Sequence, residues 1–176
     1  MTHFFTSRFN AVSKLLLSIF GVIILMGCAD VRTGATEFPE PFGYVTDLED
    51  LFSEAEENRL ELMIEEYEFR TANEIAILTI KDIRPYNNMM IYATDLANHW
   101  GVGKNDKDNG LFIAISDSLG RTAIATGLGT KEAISDAFCK TIIDSIMVPK
   151  FKKKAYYEGV QQALLSLIRE WDENEN

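Results

Sequence analysis

Leu111-Phe112-Ile113-Ala114-Ile115-Ser116-Asp117-Ser118-Leu119-Gly120-Arg121-Thr122-Ala123-Ile124-Ala125 decides the fold. Two short β-prone apolar runs flank an Asp-Ser-Leu-Gly turn, and strands this close in sequence form an antiparallel hairpin. Upstream, Glu74-Ile75-Ala76-Ile77-Leu78-Thr79-Ile80 is a third such run, with the consecutive apolar residues of a strand buried on both faces. The segment between it and the hairpin holds a helix that Pro85 opens and that Gly101 and Gly103 stop after Trp100. A helical crossover favours parallel pairing and a right-handed connection.

The remaining pattern is helical. Ser53 followed by Glu56 is a capping box, after which Leu60, Met63, Ile64 and Tyr67 mark an amphipathic helix ending near Arg70. A third helix begins at Thr130, carries Ile134, Phe138, Ile142 and Ile146 on one stripe, and is ended by Pro149. The last shows the clearest period, through Tyr157, Val160, Leu164, Leu167, Ile168 and Trp171. About four helices and a small mixed sheet of three to four strands predict an α/β chain, a three-layer α/β/α sandwich.

Ahead of this domain, Leu15 to Met26 is an apolar run preceded by Arg8 and Lys14 and closed by Leu25-Met26-Gly27-Cys28. The run has the length of a signal-peptide core and falls short of a membrane span. Cysteine directly after a small residue, where the run stops, reads as a bacterial lipobox with Cys28 as the lipidated residue. Residues 28–42, with Pro39 and Pro41 and no apolar period, read as a tether. The expected location is the cell envelope, with the domain lipid-anchored on the extracytoplasmic side of a bacterial membrane.

The chain carries 17 basic and 27 acidic residues, a net charge of −10. Removing the residues before Cys28 takes out only Arg8 and Lys14, leaving 15 against 27, or −12. That balance argues against nucleic acid and anionic lipid headgroups as partners, and is compatible with cations. With Cys28 lipidated, Cys139 has no disulfide partner and is expected as a small buried apolar residue.

Two loops hold polar chemistry. In Gly101-Val102-Gly103-Lys104-Asn105-Asp106-Lys107-Asp108-Asn109-Gly110, two carboxylates one residue apart suit a hard cation, but the spacing is not that of an EF-hand and, taken alone, the loop reads as a solvated turn. Thr126-Gly127-Leu128-Gly129-Thr130 joins strand to helix, where two glycines and free N–H groups could approach an anion. Glu132 stands where a dinucleotide fingerprint needs its third glycine, and a tight turn with Thr130 as N-cap accounts for the rest. Asp136 lies opposite the apolar stripe of its helix, and Asp47 reads as an Asx turn. His99 stands alone, and zinc spacings, a Walker loop and G-x-S-x-G are missing, so no catalytic residue is assigned.

Val45-Thr46-Asp47, the Glu74–Ile80 run, Tyr92-Ala93, Trp100-Gly101-Val102-Gly103, Asp108-Asn109-Gly110-Leu111, Gly127-Leu128-Gly129 with Asp136, and Pro149-Lys150-Phe151 with Tyr157-Glu158-Gly159 together resemble the TPM domain family over about Gly43 to Trp171. The chain then divides into a lipoprotein signal peptide (1–27), the tether (28–42), a TPM-like domain (43–172) and an acidic tail (173–176). The resemblance implies helices on both faces of a sheet and a divalent-cation site, calcium or magnesium, at Asp47, Asp108 and Asp136, with Asp106 and Asn109 as accessory donors. Some plant members are described as acid phosphatases. Two functions follow as expectations. One is a binding or assembly and repair module for membrane-protein complexes. The other is a metal-dependent phosphatase acting on phosphomonoesters, with Gly127, Gly129 and Thr130 around the phosphate.

Overall fold

The computed structural model describes residues 38–175; the lipobox and most of the tether lie outside them. Four strands lie in the order β1-β2-β3-β4: β1 is Val45–Asp47, β2 Glu74–Thr79, β3 Gly110–Ser116 and β4 Arg121–Thr126. The first three are parallel and β4 returns antiparallel, with Ile113 opposite Ile124. All seven residues of β3 are buried, as befits a strand covered on both faces.

The helices divide between the faces as the apolar alternation dictates. Ile75, Ile77, Ile113 and Ile124 face one core, together with Leu60 and Ile64 of α1 (Glu54–Thr71) and Val160 and Leu164 of α6 (Tyr156–Asn174). Ala76, Leu78, Phe112 and Ala125 face the other, under Tyr92 and Leu96 of α2 (Met89–Trp100). The β1–β2 and β2–β3 connections step one strand in the same direction, yet α1 and α2 cover opposite faces. The two crossovers therefore have opposite hands, and one departs from the right-handed rule. Leu60 and Ile64 are fully buried and Trp171 nearly so, each contributing roughly 1.5–3 kcal/mol or more through burial. Cys139 is buried, and burial pushes its thiol up to about 11.

Several boundaries differ from the sequence reading. The helix attributed to Pro85 starts at Met89, because the Asn88 side chain accepts the N–H groups of Met90 and Ile91 at 2.8 and 3.1 Å. The helix from Thr130 is two pieces: a single turn, α3 (Thr130–Ala133), and α4 (Asp136–Ile142), which Ser135 caps through Phe138 N–H at 3.2 Å. Pro149 does not end it. A π-helical segment, Ile143–Met147, runs with αR backbone directly into α5 (Val148–Phe151), so the helix continues past the proline, whose missing N–H falls just after the wider π turn.

Both flanks of the domain are also more ordered than the sequence pattern suggests. Phe38 packs on Tyr86, Tyr92 and His99, and Trp100 Nε1 donates to Pro39 O at 2.7 Å, so residues 38–42 lie on the domain. The last helix continues to Asn174, and Glu175 accepts from Asn73 Nδ2 at 2.8 Å, which binds the tail to the end of α1.

Candidate functional site

The sheet has two polar ends. Where β2 and β3 begin, the 104–109 loop meets the end of α1 and the Gly127–Thr130 turn. Where they finish lie Asp47, Thr79 and Ser116. A strand of six residues separates the two by roughly 16 Å. The five residues expected around one cation are split accordingly. Asp106, Asp108, Asn109 and Asp136 belong to the first end, Asp47 to the second, and oxygens sharing a calcium or magnesium must all lie within about 2.6 Å of it.

Three of the five have a side-chain role of their own. Asp47 accepts from Thr79 Oγ1 and from Phe52 N–H (2.8 Å), while Glu49 N–H donates to the same threonine at 2.9 Å. It fixes the β1–α1 connection, but not through the Asx turn expected from the sequence: the N–H two residues on, Glu49, goes to Thr79, and Asp47 reaches Phe52 instead. Asp136 is exposed and pairs with Lys131 at 3.2 Å. Asn109 is buried, its Oδ1 accepting from Lys104 N–H at 2.9 Å and its Nδ2 donating to Ala72 O at 2.9 Å and to Asn73 Oδ1 at 2.7 Å. Its amide bolts the loop to α1. Of the exposed carboxylates among the five, only those of Asp106 and Asp108 enter no ion pair of the described residues. Among the described residues no group of three or more His, Cys, Asp or Glu could hold a metal ion. The five do not fit a single cation as a set.

The glycine turn is likewise explained from within. A Cβ on Gly127 would lie 2.0 Å from Asp108 O, and one on Gly129 2.0 Å from Lys107 O. Both glycines are required by the close approach of the loop backbone. The N–H groups of Gly129 and Thr130 point at Asp108 O (3.2 and 3.4 Å), and Gly127 N–H donates to Gly110 O at 2.8 Å. Thr130 is buried in the first turn of α3 rather than capping it, and its hydroxyl donates to Gly110 O at 3.0 Å. A backbone carbonyl occupies the place read as a phosphate cradle.

Residues passed over in the sequence complete this end. Glu74 accepts from Gly103 N–H at 2.7 Å and from Lys104 Nζ, which also reaches Glu68 at 3.4 Å. The hydrogen bond to Glu74 raises the Lys104 pKa. Tyr44 is pushed up to about 12, first by its hydrogen bond to Glu68. Asn73 at the end of α1 was the available signal: an amide just before a buried strand has to find partners.

The sequence profile of the TPM domain matches residues 45–170. The chain belongs to the TPM domain family. Among solved structures, the TPM domain here is similar to the N-terminal domain of a P. gingivalis protein, solved by solution NMR. The two are 28% identical with a TM-score of 0.68, over 76% of this chain and 85% of that one. The BA42 protein of the psychrophilic Bizionia argentinensis is 18% identical with a TM-score of 0.62, over 72% and 86%. The N-terminal domain of the cg2496 protein of Corynebacterium glutamicum is 13% identical with a TM-score of 0.55, over 80% and 86%. These two share the fold. No curated protein matches the chain. Among the described residues no helix is long and apolar enough to cross a membrane.

Proposed function

We propose that the protein is a lipid-anchored envelope protein whose TPM domain docks onto membrane-protein complexes and serves in their assembly or repair. Cys28 carries the lipid in this reading, and the segment that follows holds the domain at the extracytoplasmic surface. One observation carries the docking role. The 104–109 loop is fixed on both sides, by the Asn109 amide and by the glycine turn, while Asp106 and Asp108 point outward. A loop already held in one conformation loses little entropy on binding, which favours recognition by its exposed groups. Calcium or magnesium enters only as a bridge at Asp106 and Asp108, with the partner supplying further oxygens. The phosphatase alternative loses support because the turn assigned to phosphate is closed by Asp108 O.

A photocrosslinker at Asn105 of the full chain in its native membrane tests this. The expected outcome is a discrete crosslink to a membrane protein, lost in the Asp106→Lys, Asp108→Lys double variant and in Cys28→Ala. Phosphate release by the purified protein that Asp108→Ala abolishes would sink the docking role in favour of catalysis.

A further inference from the structure

The far end of the sheet holds a cluster that neither reading uses. An open cavity of 390 Å³ lies between the end of β3, the β3–β4 turn and the α5–α6 junction. Val148 and Phe151 form its apolar wall, and Arg121, Lys152 and Lys154 stand around it. Ligands in open α/β sheets bind at the carboxyl ends of the parallel strands, and this volume is within the range of small-molecule sites.

One wall is fixed by a closed set of hydrogen bonds. Lys154 Nζ donates to both Asp117 oxygens and to Tyr156 Oη, each at 2.9 Å, and the Tyr156 hydroxyl donates to Asp117. Lys154 holds this position from a left-handed backbone (φ 60), which L-residues avoid. The Asp117 charge is therefore matched within the wall, and the neighbouring Glu49 carboxylate is turned to the Asp117 and Ser118 N–H groups at 2.7 and 3.2 Å. The two other cations are not matched. Arg121 uses one guanidinium nitrogen on Asn87 O at 2.9 Å, and neither Arg121 nor Lys152 is among the ion pairs formed by the described residues. In a chain of net charge −10, two uncompensated cations beside an apolar wall reverse the local sign.

We propose that this cavity binds a small organic anion, its head between Arg121 and Lys152 and its apolar body on Val148 and Phe151. The planar guanidinium fork suits a carboxylate or a phosphomonoester equally, so the head group is left to the experiment.

Phenylacetate, phenyl phosphate, inorganic phosphate and benzyl alcohol are titrated calorimetrically into the full-length chain in detergent. Saturable binding of at least one aromatic anion is expected, tighter than that of inorganic phosphate and absent for benzyl alcohol. Which anion saturates identifies the head group. Arg121→Gln and Lys152→Gln should each weaken it about tenfold, as loss of a charge-assisted hydrogen bond implies. Both side chains are exposed, so unchanged melting is expected of both variants. Should one misfold, Arg121→Lys, which keeps the charge and loses the fork, reads the same contact. No saturation by either aromatic anion, equal binding of benzyl alcohol or inorganic phosphate, or unchanged affinity in the variants would overturn the proposal.

Discussion

Where β2 and β3 begin, polar groups are taken up by the protein itself: the Asn73 and Asn109 amides pair, two glycines admit the loop backbone, and Asp108 O takes the N–H groups of the next turn. Where the same strands end, lysines and an arginine surround open space and only Asp117 is neutralised. The contrast shows that residue type is a weak guide to which groups are free. Asp, Asn and Gly at the starting end resemble ligands and mostly serve as joints. The lysines at the finishing end resemble ordinary solvated surface and border a cavity.

The largest expected effect lies in the joint. Asn109→Ala leaves the buried Asn73 Oδ1 and the part-buried Lys104 N–H and Ala72 O without their partner, at about 1–3 kcal/mol for each such group. Urea unfolding should show a loss of about 3 kcal/mol or more. A loss below about 1 kcal/mol would mean that water replaces the amide and that the loop is not bolted down. Next comes Gly129→Ala, whose Cβ would collide with Lys107 O at 2.0 Å. Displacing that backbone should cost about 1–3 kcal/mol and raise amide exchange across residues 104–109, as overpacking does. Unchanged exchange would detach the glycine turn from the rigidity of the loop.

Much of this architecture was legible because periodicity reports burial directly. Leu60, Ile64 and Tyr67, or Val160, Leu164 and Trp171, had only one way to hide their apolar face. The two cores alternate along β2 and β3 as their consecutive apolar residues require. Helix ends were harder, since Asn88 competes with Pro85 for the start of α2, and the π-helical segment before Pro149 leaves no mark in the apolar pattern. The split of the expected cation ligands follows from a first strand that the apolar pattern did not mark. Asp47 ends β1 and Asp108 precedes β3, and in parallel strands those are opposite ends of the sheet. What no pattern supplies is whether an exposed-looking asparagine is buried, because Asn109 owes its burial to Ala72 and Asn73, far away in sequence.

At the open end the effects should be smaller. Tyr156→Phe removes one hydroxyl shared by Asp117 and Lys154, which is worth about 1 kcal/mol. The hydrogen bonds from Tyr156 and Lys154 hold the Asp117 carboxyl below its usual range. A carboxyl depressed on folding adds stability above its unfolded pKa and loses it as the pH falls through the folded one. Stability of the wild-type protein should therefore decline on the acid side more steeply than that of Tyr156→Phe. Parallel acid limbs would show the triad to be absent in solution.

The smallest expected effect tests the exposed carboxylate of the starting end. Asp108 occupies a left-handed conformation (φ 49), its backbone oxygen holds the glycine turn, and its side chain is exposed. Glycine adopts that conformation without the Cβ penalty, although it also loosens the unfolded chain. These opposing terms should leave Asp108→Gly within about 0.5 kcal/mol of wild type without added cation, the range of surface substitutions. A larger loss would give the carboxylate a structural role of its own. Thermal unfolding repeated with calcium or magnesium then separates joint from ligand: a cation-dependent rise in wild type that Asp108→Gly lacks assigns the side chain to an ion, since a ligand that binds only the folded state must stabilise it. Equal melting of the two proteins at every cation concentration leaves Asp108 as a backbone joint whose carboxylate is free for a partner.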